Sequence, residues 1–454
     1  MNRMRVRIGP IVAFAAGLLL LVACFKDDNF TSDLSGGGSG TQQVAARKSY
    51  VQNRRVMIMV SAGYNSLSSY LHEDLVELSK SALPVGTGQD THVLMVLSRL
   101  PVRPDGQGNF ATSAPVLYRM YRDEAGTCVR DTLLRWEEDT PLCQPEVFRE
   151  ALEFVYRRFP ARGYGMVFSS HASGWMPDGY YNNPDAYEAS HKQPAKLSIR
   201  PRAWDMGAVP FPVFDPSEPM VKSLGQDVND EASYEMELDA FAAALPIHLD
   251  YLLLDACLNG CVEVAHAFRD KADIVGFSPT EVLANGFDYD SITSRLLQSE
   301  PDPVAVCQDY FAFYEKQSGI NQSATICVVD TRKMDALEDV CFNLFGRYRE
   351  EMETMDASQV QGYFRYERHY FYDLKDILVK AGITDEEQEQ LDEALDACIL
   401  YKAATPWFFQ DGRYGFPIRT YCGMSMYLPS MGTPLLDSFY QQHVSWNQAT
   451  HLVE

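Results

Sequence analysis

Leu249-Asp250-Tyr251-Leu252-Leu253-Leu254-Asp255-Ala256-Cys257 is the stretch that decides the architecture. From Tyr251 to Leu254 it is continuously apolar, the pattern of a strand covered on both faces, and it ends in an acid and a cysteine. The same grammar recurs along the chain. Val56 to Val60 closes on Ser61-Ala62-Gly63, and His92-Val93-Leu94-Met95-Val96-Leu97 forms a second such run. Tyr164 to Phe168 leads into Ser169-Ser170-His171, and Ile274-Val275-Gly276-Phe277 follows downstream. Helical patterns stand between them, over 68–81, 145–159, 236–245 and 259–269; the second carries Phe148, Leu152, Val155 and Tyr156 on one stripe. Residues 115–135 alternate as a hairpin. Apolar strands alternating with amphipathic helices predict an α/β fold, an α/β/α sandwich around a mostly parallel central sheet. Ligands of such sheets bind beyond the carboxyl ends of the strands. His171 and Cys257 each lie just past such an end, so the pattern predicts that they share one rim.

The flanks have a different character. Arg3, Arg5 and Arg7 precede the uncharged run Ile11 to Val22. That run is shorter than the ~20 residues of a membrane span and reads as a secretory signal. Leu21-Val22-Ala23-Cys24 resembles the lipobox of bacterial lipoproteins, in which the peptide is cut before the cysteine and its sulfur is lipidated. Lys26-Asp27-Asp28 resembles the acidic tag that sorts some lipoproteins to the surface of the outer membrane. The expected organisation is a signal peptide over 1–23 and a polar tether over 24–48, with Ser35 to Gly40 at its centre. A catalytic core over 49–300 follows. A mainly helical extension over 301–454, packed on the same core, has helices at 303–317, 333–355, 370–381, 385–401 and 434–443 and a late strand at 423–428. Residues 176–230 hold eight prolines and little periodicity, a long loop of the kind that usually serves function.

Charge and cysteines narrow the classes. The chain carries −23, and loss of residues 1–23 leaves 36 basic against 62 acidic residues, or −26. Such a surface argues against nucleic acid, whose binding rests on Lys and Arg. It would draw cationic substrates by a salt-sensitive on-rate effect. Of the ten cysteines, the lipid site leaves nine, with no CxxC, so neither a zinc knuckle nor a disulfide-dense module is expected. Cys128 and Cys143 stand close enough in sequence for a pairing to be considered.

A thiol and an imidazole on one rim suit nucleophilic acyl transfer. Cys257 follows a buried strand and precedes a helical pattern, where a helix N-terminus would lower its pKa. A buried core cysteine and a packed histidine are the bland alternatives. Cys261 and His266 fall on the same helical pattern, Cys261 expected against the sheet and His266 partly exposed. His369 sits among aromatics as a packing residue.

Two motifs tilt the balance. Ser169-Ser170-His171-Ala172-Ser173-Gly174-Trp175 and Leu254-Asp255-Ala256-Cys257-Leu258 resemble the His and Cys motifs of the clostripain family, peptidases of caspase-like fold. Ser278-Pro279-Thr280-Glu281 with Gly286-Phe287-Asp288-Tyr289, the opening Ala62-Gly63-Tyr64-Asn65-Ser66-Leu67, and Cys422-Gly423-Met424-Ser425 extend the resemblance over about residues 50–445. It implies Cys257 as nucleophile and His171 as general base, with no third acid. Backbone N–H groups of Cys257 and Ala172 would form the oxyanion hole; Ala172 stands where many relatives have Gly. Asp255 would lie at the base of an S1 pocket selecting Arg or Lys, with a helix N-cap as its structural alternative, and Asp288 would add a second acid. Tyr64 stands where relatives often carry Asp. The resemblance also implies self-cleavage between His and Cys, where Lys192, Lys196, Arg200, Arg202 and Lys222 offer basic sites. The chemistry calls for no cofactor. Calcium dependence is a family trait, although the chain has no EF-hand calcium loop. The competing readings are a non-catalytic surface lipoprotein binding peptide or glycan, and an acyl-transfer enzyme using the same dyad.

Overall fold

The computed structural model describes residues 53–454 apart from 66, 102–111, 181–183, 192–226, 230–231, 235, 366–368, 411 and 413. The expectations for the signal peptide, Cys24, the whole tether and the basic residues of the long loop fall outside the described residues.

The apolar runs form the predicted sheet. Its strands are β1 (Arg55–Ala62), β2 (Val93–Leu100), β3 (Thr112–Arg122), β4 (Cys128–Arg135), β5 (Gly163–Ser169), β6 (Leu249–Asp255), β7 (Ala272–Phe277), β8 (Thr325–Asp330) and β9 (Ile399–Ala404). The order across the sheet is β9-β8-β7-β6-β5-β1-β2-β3-β4. The five central strands from β7 to β2 run parallel, and both flanks are antiparallel. The residues of β2 are all buried, and those of β1 are buried up to its last residue, as continuous apolar strands require. The described residues from 53 onward pack as one unit.

Helices α1 (Ser68–Lys80), α2 (Pro145–Arg158), α3 (Leu238–Ala244), α4 (Val262–Ala267) and α5 (Pro303–Glu315) accompany the strands. On one sheet face Phe168 of β5 lies 5.0 Å from Phe241 of α3, which meets Phe148 of α2 at 5.3 Å and Phe268 beyond α4 at 5.2 Å, ring centre to ring centre. These edge and tilted contacts fasten three helices to that face.

Three expectations are corrected. The stretch beyond residue 300 is not only helical: β8 and β9 complete the sheet. Thr325-Ile326-Cys327-Val328-Val329-Asp330 had the β-branched composition of a buried strand. Ile399 to Ala404 continues directly from helix Asp385–Cys398, and its helix-forming residues hid an edge strand that pairing with β8 imposes. The helix expected over 259–269 contracts to α4. Leu258 adopts φ +59°, which no helix accommodates. The late strand is reduced to Ser425–Met426, paired with Tyr372–Asp373.

The register of β5 and β6 is guarded by Gly165. It sits directly opposite Tyr251, and a Cβ there would lie 2.0 Å from that buried ring. Gly165→Ala should therefore lower stability by about 1–3 kcal/mol through overpacking, read as a fall in Tm. An unchanged Tm would contradict this account of the strand pair.

Candidate active site

In the parallel pair β5–β6, Phe168 stands opposite Leu254 and Ser169 opposite Asp255. Two residues further on, beyond the last paired positions, the strands release His171 and Cys257. Both are buried, His171 at 7% and Cys257 at 0% exposure. The two exit loops touch. Gly174, at φ +65°, lies so close to the Leu258 carbonyl that a Cβ would come within 2.8 Å of it. Only glycine satisfies both the backbone conformation and the space. The sheet thus delivers the four rim residues expected from sequence, His171, Ala172, Asp255 and Cys257, to adjacent strand ends.

The expected helix dipole does not reach Cys257. Leu258 to Cys261 separate it from α4, and a dipole acts over the terminal turn only. What reaches the sulfur is a backbone donor: Val282 N–H points at Cys257 Sγ over 3.0 Å. This donor favours the thiolate, whereas the thiol itself donates to Val282 O at 3.7 Å, a longer contact that favours the protonated form. The turn after Cys257 is held open by Leu258 N–H donating to Thr280 O at 3.0 Å and Gly260 N–H donating to Ser278 O at 2.7 Å. Positive φ at a leucine is costly, and such strain persists where its surroundings over-determine it.

Val282 is itself anchored. Its neighbour Glu281 accepts two bonds from Arg365, at 2.6 and 3.1 Å, with side chains 1% and 8% exposed. The Arg365 guanidinium also lies over the Phe409 ring at 4.2 Å. A buried bidentate pair fixes geometry strongly, because loss of either partner strands the other charge. Sequence reading quoted Glu281 only within a motif and gave Arg365 no role; an arginine in an aromatic stretch carries no local signal of so distant a partner.

Asp255 is 1% exposed and receives Tyr289 Oη at 2.7 Å and Ser169 Oγ at 3.3 Å. Burial, then the Asp255 charge, pushes the Tyr289 hydroxyl well above its ordinary pKa, so it remains a donor. Asp288 does not join this group. It is exposed, and its carboxylate accepts Ser291 Oγ at 2.7 Å within its own turn. The adjacent Tyr289 is the residue that turns inward, a role that alternation past β7 did not reveal.

The other candidates resolve as packing residues. Cys261 is the buried residue before α4, its thiol pushed up well above the ordinary range by burial. His266 is buried rather than partly exposed, bonded to Ser445 Oγ at 2.8 Å and Glu338 at 3.1 Å. His369 stacks on Tyr372 at 4.3 Å, and burial lowers its pKa to about 4. The nine described cysteines are thiols, so Cys128 and Cys143 are not bridged. Among the described residues, Glu237, Asp239 and His443 bring ligand atoms within 4.8 Å of one another. An imidazole with two carboxylates suits a transition metal better than calcium, which takes oxygen ligands.

Residues 204–429 match the model of the clostripain family, the C11 peptidases. The matched segment contains Asp255 and Cys257. The structure also superposes on an inactive zymogen C11 protease from Parabacteroides distasonis with TM-score 0.66 and 26% identity, over 88% of this chain and 98% of that one. This chain belongs to the clostripain family. It is a cysteine peptidase with the α/β fold of the C11 proteases. A secreted C11 cysteine protease from Bacteroides thetaiotaomicron, solved with an irreversible peptide inhibitor, shares the fold at TM-score 0.66 and 22% identity, over 88% of this chain and 99% of that one. No curated protein sequence matches. His171 precedes the segment matched by the family model. Among the described residues no helix is long and apolar enough to cross a membrane.

The C-terminal part buttresses both site loops of this clostripain-family chain. Trp175, four residues after His171, packs edge-on against Tyr427 at 4.9 Å and Tyr440 at 4.7 Å. Glu263 on α4 accepts Tyr427 N–H and Tyr440 Oη, each at 2.8 Å. Burial pushes the Glu263 carboxyl up to about 6. An acid with a raised folded pKa binds its proton more tightly when folded. Its stabilising contribution is full below the unfolded value of 4.5 and is lost as pH rises through about 6. Glu263→Gln should remove that loss, gaining roughly 1–2 kcal/mol over the parent at pH 8 and little at pH 4. Chemical denaturation at the two pH values checks it; equal differences at both would contradict it.

Proposed function

We propose that this peptidase cleaves after Arg or Lys using a Cys257–His171 dyad. The observation that carries the reading is the β5–β6 register, which sends both residues off one sheet edge with Asp255 two positions before the nucleophile. In the proposed reaction His171 takes the Cys257 proton, and the thiolate attacks the scissile carbonyl. The tetrahedral oxyanion accepts N–H groups from Cys257 and Ala172. His171 then returns the proton to the leaving amine, and water hydrolyses the thioester with His171 again as base.

Asp255 is assigned as the acid that recognises the basic P1 side chain. Its burial favours this, because a carboxylate removed from water binds a guanidinium or ammonium more strongly than an exposed one. Tyr289 and Ser169 hold the carboxylate from the sheet side, both donating to Oδ2. Asp288, exposed and engaged with Ser291, is given no part in P1 recognition.

Self-cleavage between His171 and Cys257 is part of the proposal, with the basic residues of 192–222 as the cut sites. The buried thiol, engaged by Val282, is consistent with an uncut form that needs rearrangement before substrate reaches it. Cys24 is assigned as the lipid anchor, holding the enzyme at the outer membrane, on the strength of the lipobox-like sequence alone.

Cys257→Ala should abolish hydrolysis of an Arg- or Lys-linked amide reporter and any self-fragmentation of purified protein. Asp255→Asn should lower kcat/KM for basic P1 substrates by about 100-fold, the scale of a lost charge-assisted contact near 3 kcal/mol. Reporter activity that persists in the Cys257 variant, or an Asp255 variant with unchanged P1 preference, would refute the corresponding assignment.

A further inference from the structure

A cavity of about 80 Å³ opens beside His171 on the sheet face opposite Asp255. Strand alternation fixes the two sides. Phe168 and Leu254 point into the cavity, whereas their successors Ser169 and Asp255 point to the other face and bond to each other. The cavity is walled further by Met176 of the His loop and by Leu238 and Phe241 of α3. Leu254, Met176 and Phe241 are nearly fully buried, so the lining is already desolvated and rigid.

We infer that this cavity is the S1′ subsite and takes an apolar side chain of Leu or Met size on the leaving-group side of the scissile bond. The inference rests on the dyad reading and deepens it. The imidazole must reach the leaving nitrogen to protonate it, so the residue carrying that nitrogen lies beside His171. The P1 side chain is drawn to the Asp255 face. The residue across the scissile bond therefore meets the opposite face, where the lining beside His171 is mostly apolar, with Asp178, Ser173 and Asn259 among its polar part. Burying a side chain of this size in a preformed apolar site is worth about 1.5–3 kcal/mol. The cavity volume excludes nothing smaller but gives small or acidic residues no gain, since Asp178 stands in its lining. The preferred cut is therefore Arg or Lys followed by a medium apolar residue, a narrower sequence than the P1 acid alone would choose.

The test uses the full processed enzyme and a peptide set with fixed basic P1 and with Leu, Met, Gly, Ser or Asp at P1′, plus a second set varied at P2, with products quantified by mass spectrometry. Leu or Met at P1′ should raise kcat/KM by about tenfold or more over Gly and Asp. Leu238→Ser should shrink that ratio several-fold. Flat P1′ dependence in the parent enzyme, with cleavage after Arg or Lys intact, would overturn the inference and leave the dyad reading standing. Apolar preference at P2 with none at P1′ would overturn it equally. No cleavage of any basic-P1 peptide would overturn the specificity reading and this inference together. The parent series decides the question even if the Leu238 variant fails to fold.

Discussion

The parallel pairing of β5 with β6 is the constraint on which the site depends. Side chains alternate along both strands, so one register sends Phe168 and Leu254 to one face and Ser169 and Asp255 to the other. A slip by a single residue would exchange the two faces, burying the acid among the phenylalanines of α2 and α3. Gly165 under the Tyr251 ring prevents that slip from being neutral, because the fit exists at that one pairing. The chemistry therefore depends on backbone hydrogen bonds and on the packing of apolar residues that never meet a substrate.

The rim loops are not held by the sheet alone. Trp175 and Glu263 connect the His loop and α4 to the segment around Tyr427 and Tyr440, near the end of the chain. Ser425 N–H donates to Gly260 O at 2.9 Å, so the same segment pins the turn after Cys257. The Arg365–Glu281 pair pins the strand exit that carries Val282 to the sulfur. Residues more than a hundred positions downstream thus fix the surroundings of Cys257. The C-terminal third is thus packed into the rim rather than appended to the sheet.

Much of this was legible in the sequence because the signals were local. The uninterrupted apolar runs at Val56, Val93, Tyr164 and Leu249 announced buried parallel strands, and the polar ends of two of them marked the rim. The hairpin over 115–135 was readable from alternation, and helix Pro434–His443 from its apolar spacing. What was not legible depended on partners distant in sequence. Ile399 to Ala404 is a strand only because β8 lies beside it. Leu258 breaks the expected helix through a backbone angle that no composition encodes. Asp288 and Tyr289 are neighbours with opposite fates: Tyr289 is buried and bonded to Asp255, while Asp288 is exposed and bonded to Ser291. Arg365 met Glu281 across 84 positions, a pairing with no sequence signature.

The most direct measurement of the central claim is the site and rate of alkylation by an arginyl or lysyl chloromethyl ketone, mapped by peptide mass spectrometry. The account predicts a single adduct on Cys257, formed about 100-fold more slowly in a His171→Ala variant. An adduct on another of the thiols, or a Cys257 adduct that forms at the same rate without His171, would contradict it.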